Sequence, residues 1–240
     1  MLEARGTPTV VIGLVRPHME RIRPPRGVWA PFQLGRPLGE PGDPAFQRRV
    51  LSQALALLER RDGPVILEDF PDDPPNWFDT AGWVAPDLPS LGTPATPSGW
   101  EAALSHEMAA LRPVWQRAQA RFGRTTLGLS GQAPEHWPEF VGRFLAGDLP
   151  LVPPHATAAL AVRFLCDDIK AMYSEAAQAD GTPPSSRQID TWFWSVTLAG
   201  RLLIALRSVA LLSDNNAMKT VATRFFVPAP FLPAAPGSRQ

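Results

Sequence analysis

The spacing of apolar positions changes once along the chain. Between Thr9 and Asp69 the apolar residues come in short runs, "TVVIGLV", "GVWAPF" and "PVILED". Each is the length of a strand and is bounded by glycine, proline or charged residues. Between the second and third runs the period becomes helical, with Phe46, Val50, Leu51, Ala54, Leu57 and Leu58 recurring on one face. Asp43 stands where an N-cap belongs, Pro44 at the first helical position, and "RDG" ends the pattern, so a helix is predicted from Pro44 to about Arg60. A short apolar strand after an amphipathic helix is how a parallel βαβ unit reads.

From Pro71 to Pro97 the prolines crowd together with Asp, Gly and Trp in "PDDPPNWFDTAGWVAPDLPSLGTPATP". This is too proline-rich for regular structure and reads as a linker that packs through Trp77, Phe78 and Trp83. Beyond it the pattern is helical. "SGWE" offers a capping box (Ser98, Glu101) ahead of a helix to about Phe122, and "SSRQ" offers another (Ser185, Gln188) ahead of a long helix to about Leu212. Helices are predicted between them near 135–146 and 156–178, and a last one near 214–224. "VPAPFLPAAPGSRQ" reads as an extended arm and loose tail. The expected organisation is therefore an α/β segment over 1–70, a linker over 71–97, a helical domain over 98–227 and a tail over 228–240.

Composition narrows the class of partner. The chain has 240 residues, 45% of them apolar, with 23 basic and 23 acidic side chains. It can bury a sizeable core, and it has no basic block to serve as an electrostatic footprint for nucleic acid or anionic lipid. A protein or small molecule is the expected partner. The one cysteine, Cys166, can form neither an internal disulfide nor a CxxC pair, which points to a reducing compartment. "MLEARGTPTVVIGLV" has no cleavage pattern of a leader, and the longest apolar stretch, "VTLAGRLLIALRSVALL", is broken by Arg201 and Arg207. The expected location is the cytoplasm, with no membrane span.

Two groups of residues could carry chemistry. Ligands of open α/β sheets bind beyond the carboxyl ends of the strands. Those ends carry "RPHME", read as a loop, and "QLGRPLGEPGD", placing Arg16, His18, Glu20 and Arg36 at that edge. His18 reads as a catalytic acid or as a solvent-facing or capping histidine. Arg36 reads as an anion ligand or as a tie between turn carbonyls. "GRPLGEPG" lacks the Lys-Ser/Thr ending of a phosphate loop.

The second group lies on the 156–178 helix. Leu165, Ile169, Met172 and Ala176 form its apolar stripe, and Asp168 and Glu175 fall at the border, roughly 10 Å apart along the axis. The following helix is apolar nearly all round except for Asp190, Thr197, Arg201 and Ser208. If the two form an antiparallel hairpin, Asp168 meets Thr197 and Arg201, and Glu175 meets Asp190. That arrangement is either a buried ion-pair network fixing register or a carboxylate site for metal or proton transfer. No Glu-x-x-His pair is present, which disfavours a di-iron site, and no cofactor or metal is assigned.

The segment "GTPTVVIGLVRPHMERIRPPRGVWAPFQLGRPLGEPGDPAFQRRVLSQALALLERRDGPVIL", about residues 6–68, resembles the C-terminal stretch of the substrate-specific selenoprotein B subunits of glycine, sarcosine, betaine and D-proline reductases. In that family a "GIP" strand, a loop, a "P-x-G-x-P" turn and a helix ending in a last strand follow in this order. The resemblance implies a Rossmann-like α/β fold and reductive cleavage of C–N bonds by a selenocysteine or cysteine. The family's nucleophile lies upstream of this stretch, and Cys166 belongs to the helical half, so no nucleophile carries over. The expectation is an α+β chain, a small Rossmann-like piece followed by a helical bundle, that serves as a subunit of a reductase-like complex. The partner would carry the missing α/β half and dock on an interface of more than about 1,000 Å² around Trp29, Phe32 and Arg36. A self-contained enzyme built on the helical carboxylates and a non-catalytic binding or assembly protein are the alternatives.

Overall fold

A computed structural model describes residues 2–32, 36–39, 42–63, 65–72, 80–148 and 157–233. The chain forms two compact units, Met1–Phe78 and Asp79–Gln240.

The first unit holds a three-stranded parallel sheet in the order β1 (Val11–Gly13), β2 (Arg26–Trp29), β3 (Ile66–Asp69). Val11 is in register with Gly27, and Val28 with Glu68. Helix α2 (Pro44–Ala56) begins as predicted: the Asp43 carboxylate accepts from Phe46 N–H at 2.9 Å and Pro44 takes the first turn. Its buried face of Phe46, Val50 and Ala54 packs with Val28 and Ile66, and Phe32, Phe46 and Phe70 meet with ring centroids 5.5 to 5.7 Å apart.

"RPHME" is not a loop. Arg16–Ile22 forms α1, seven residues with Pro17 in the first turn and Arg23 closing it at φ 48°. Seven residues are too few for a helical period to stand out beside a strand. The reason α1 lies so close to the sheet is glycine. A Cβ on Gly13 would come within 2.2 Å of the Met19 sulfur, and one on Gly27 within 2.6 Å of its methyl carbon. Residues alternate faces along a strand, so Met19 covers the face of Gly13 and Gly27, while α2 covers the face of Val28 and Ile66.

The second unit is helical: α3 (Pro97–Phe122), α4 (Trp137–Leu145), α5 (Ala158–Ala176), α6 (Ser186–Ser195), α7 (Leu198–Leu212) and α8 (Asn216–Val221), the last running into a π-turn over Ala222–Phe226. Its core is one cluster in which Leu104, Leu111, Leu165, Ile169, Met172, Leu202, Leu203 and Leu206 are fully buried. The proline-rich segment from Thr80 onward is a strap on this unit. Trp83 Nε1–H donates to Ala177 C=O at 3.0 Å, and Ala85, Leu88 and Leu91 pack on the core. Trp77 and Phe78 lie outside the described residues. At the far end Phe231 stacks on Trp194 at 5.7 Å.

Two local expectations change. The cap of α3 is Thr96, whose hydroxyl accepts from Gly99 N–H at 3.1 Å, with Pro97 in the first turn, rather than Ser98. Thr-Pro supplies both a cap and a preset φ, two residues ahead of the Ser98 box. The long helix expected to Leu212 is two helices meeting at 69°. Thr197 ends one and starts the other: its hydroxyl donates to Phe193 C=O at 2.7 Å and accepts from Gly200 N–H at 3.0 Å. Gly200 makes the corner possible, because a Cβ there would sit 2.2 Å from Phe193 O. No single helix among the described residues is long and apolar enough to cross a membrane.

Candidate functional site

At the carboxyl edge of the first unit's sheet, Arg16 opens α1 and reaches across to the end of β3. Its Nε–H donates to Asp69 at 3.2 Å, its Nη1 pairs with Glu20 one turn on, and its guanidinium lies 5.7 Å from the Trp29 ring centre. Arg16, Glu20 and Asp69 are all around half exposed, so this is a solvated ion cluster of the kind that contributes little to stability. Glu20 is thus the i,i+4 partner of Arg16. His18 is exposed on α1, and its backbone N–H closes the first turn on Val15. Arg36 is exposed and engaged, and its carbonyl closes the turn to Gly39. Gly39 takes φ 84°, and a Cβ there would fall 2.6 Å from the Phe46 ring, so the turn lies directly on the core. The glycine of "RPLG" is required by packing. Phe32, expected as an interface anchor, is instead 5% exposed in the unit's own core.

In the second unit the expected hairpin contacts do not form, because the break at Thr197 sends α7 away at an angle. Asp168, fully buried, is wrapped by the loop after α3. Its Oδ1 accepts from Gly128 N–H and Leu129 N–H, both at 3.0 Å, and its Oδ2 from Ser130 N–H at 2.9 Å and Ser130 Oγ–H at 2.5 Å. Glu175, two turns on, receives the start of the same loop. It accepts from Thr126 N–H at 2.5 Å, from the hydroxyls of Thr125 and Thr126, and from Trp115 Nε1–H at 2.8 Å. Partial burial raises the Glu175 pKa, and these donors more than offset that, so it lies below the ordinary glutamate value. Arg201, expected beside Asp168, binds the strap: Nη2 donates to Leu91 C=O at 2.8 Å and Nη1 to Thr93 Oγ1 at 3.2 Å. Asp190 is exposed and Ser208 bonds its own helix.

A second fully buried carboxylate is one that the sequence does not single out by motif. Glu107, 1% exposed, accepts from Leu198 N–H at 2.7 Å, Ala199 N–H at 2.9 Å and Tyr173 O–H at 2.7 Å. Burial, followed by the neighbouring Glu107 charge, pushes the Tyr173 phenol well up. The signal was present: Glu107 falls in the stripe Trp100, Leu104, Met108, Leu111, where a carboxylate must be compensated.

These arrangements fix the chemistry available. Each of Asp168, Glu175 and Glu107 is saturated by backbone and neutral donors, which suits anchoring a loop or a helix start. No group of three or more metal-ligating side chains occurs among the described residues. Cys166 is fully buried, and burial pushes its thiol up to about 12, so it carries no thiolate at neutral pH. Beside Glu175 a surface pocket of about 260 Å³ opens between the end of α3, the following loop and α5. No family model, curated protein or solved structure matches the chain.

Proposed function

We propose that this chain is a docking subunit of a cytoplasmic oxidoreductase complex of the glycine/proline-reductase kind, in which a second polypeptide carries the nucleophile. The observation that carries the docking reading is the sheet of the first unit. It has three parallel strands of three or four residues, and no strand pairs with the outer side of β1 or β3 among the described residues. Parallel sheets are built into the interior of larger α/β folds, and an open edge is a template for pairing. A Rossmann-like sheet completed by a partner strand satisfies both conditions. Val11 on the outer strand is 37% exposed, in keeping with an edge awaiting cover.

The reductase part of the proposal rests on the resemblance over residues 6–68 and on the chain's chemistry. Its single thiol is buried and protonated, and its buried carboxylates are committed to anchoring, so the thiolate or selenolate attack is assigned to the second polypeptide rather than to these residues.

The test is co-purification of the tagged chain from its native host with mass spectrometry of what accompanies it. The expected companion has an α/β domain bearing a reactive cysteine or selenocysteine, and Val11→Lys, which places a charge on the edge, releases it without changing the circular dichroism of the chain. A chain that emerges alone refutes docking. A companion without a reactive thiol or selenol leaves docking standing and refutes the reductase assignment, whereas amino-acid reduction by the purified chain with only a dithiol supplied refutes the placement of the nucleophile on a second polypeptide.

A further inference from the structure

We infer that the pocket beside Glu175 is a binding site for a small zwitterion with an apolar body, of which a free α-amino acid with an apolar side chain is the simplest case. The inference is independent of the docking reading.

The pocket pairs two charges that do not meet each other. Glu175 lines it, is held ionised by its donors, and has no cationic partner among the described residues. Arg124 lines it from the loop, is exposed, and forms no ion pair or hydrogen bond among the described residues. Neutral donors hold Glu175 in place, but neither it nor Arg124 has an opposite charge paired with it among the described residues, and both line one cavity. A ligand with a single charge satisfies one and is repelled by the other, whereas a carboxylate facing Arg124 and an ammonium facing Glu175 satisfy both. The neutral polar groups agree. Ser174 Oγ has no partner among the described residues, and the Thr126 hydroxyl, which donates to Glu175, keeps lone pairs to accept from an ammonium.

The rest of the wall sets the body of the ligand. Phe122, 47% exposed, and Ala118 and Ala171 are apolar. The neighbouring Arg121 guanidinium lies 5.2 Å from the Phe122 ring centre and is committed to Gln178 C=O and Ala179 C=O, so it does not compete for the carboxylate. A volume of about 260 Å³ falls below the range of drug-sized sites, which suits a ligand of amino-acid size.

Glu175 accepts from two reporters, the Trp115 indole N–H and the Thr126 amide, whose NMR signals register a charge arriving at the carboxylate. The ¹⁵N-labelled full chain is titrated with L-leucine, L-valine and L-phenylalanine, and with two analogues carrying one charge each, 4-methylpentanoate and 3-methylbutylamine. At least one amino acid is expected to shift both signals saturably by about 20 mM, with both analogues weaker by about tenfold or more. Arg124→Ala, a change at an exposed loop residue, is expected to weaken binding by about tenfold while leaving the unliganded spectrum of Trp115 in place. Signals that do not move with any of the three amino acids, an analogue that binds as well as the zwitterion, or an Arg124→Ala chain of undiminished affinity would each overturn the inference.

Discussion

Replacing Glu107 with alanine should be the most damaging single side-chain truncation in the helical unit. Helix α7 starts inside the core, where its first N–H groups have no water to turn to. Their partners can be named in full: Thr197 N–H reaches Trp192 C=O, Leu198 and Ala199 reach Glu107, and Gly200 reaches the Thr197 hydroxyl. Glu107→Ala orphans two of these four and the Tyr173 hydroxyl. At about 1–3 kcal/mol for each buried donor left unmade, less the desolvation no longer borne by the carboxylate, the cost is about 3–5 kcal/mol. That is a large part of the roughly 5–15 kcal/mol that holds a domain together.

Glu107→Gln keeps the shape and one acceptor oxygen but turns an amide NH₂ toward a donor, so it should fall between parent and alanine. Tyr173→Phe should cost about 1 kcal/mol in the parent and less in Glu107→Ala, since the bond is already gone. Urea unfolding followed by circular dichroism at constant slope reads all five chains, the double variant included. If Glu107→Ala unfolds within about 1 kcal/mol of the parent, the start of α7 is hydrated and the account of the corner is wrong.

Three further outcomes are expected. Asp168→Asn should cost about 2–4 kcal/mol through loss of charge-assisted bonds, and hydrogen exchange should quicken at Gly128, Leu129 and Ser130, the amides that it holds; exchange confined to other segments would contradict this. Gly200→Ala forces a carbon against Phe193 O at 2.2 Å, so it should destabilise by about 3 kcal/mol or more and open the angle between α6 and α7, whereas a neutral substitution in calorimetry would show the corner to be plastic. Glu175 has a folded pKa below its ordinary 4.5, so its contribution is full above about that pH and is lost as the pH falls through the lower folded value. The stability gap between parent and Glu175→Gln should therefore be widest near neutrality and close in acid, and a gap that grows on acidification would reverse the sign.

What was legible in the sequence was whatever one segment decides for itself. Asp43-Pro44 began a helix because both devices act within a turn, and the Ser185–Gln188 box is present in both directions, with Gln188 N–H to Ser185 Oγ at 3.1 Å and Ser185 N–H to Gln188 Oε1 at 2.9 Å. The same Gln188 side chain also holds Thr80 by both backbone groups, a contact 108 residues away that no local rule contains. Where an apolar run had no polar side, as from Leu198 to Leu212, periodicity carried no phase, so Thr197 read as one of a line of buried polar groups when it is a cap. The expected hairpin, and with it Asp168 beside Arg201, followed from that single misreading.

The misplaced carboxylates have a deeper cause. Reasoning from side chains pairs an acid with a base, and Asp168 with Arg201 is the pair it produces. The fold answers both with the main chain. Asp168 takes three backbone N–H groups, Glu107 takes two, and Arg201 gives its protons to Leu91 C=O and the Thr93 hydroxyl. Backbone donors are the same at every residue, so the sequence does not say which of them an acid will meet. It does say that an acid inside an apolar stripe must meet something. Glu107 and Asp168 could therefore have been selected as anchors from their positions alone, with the loop and the helix start they hold left to the structure. Read that way, charges with no opposite charge paired to them become the informative ones, and Arg124 and Glu175, which line one pocket without pairing, are two such charges among the described residues.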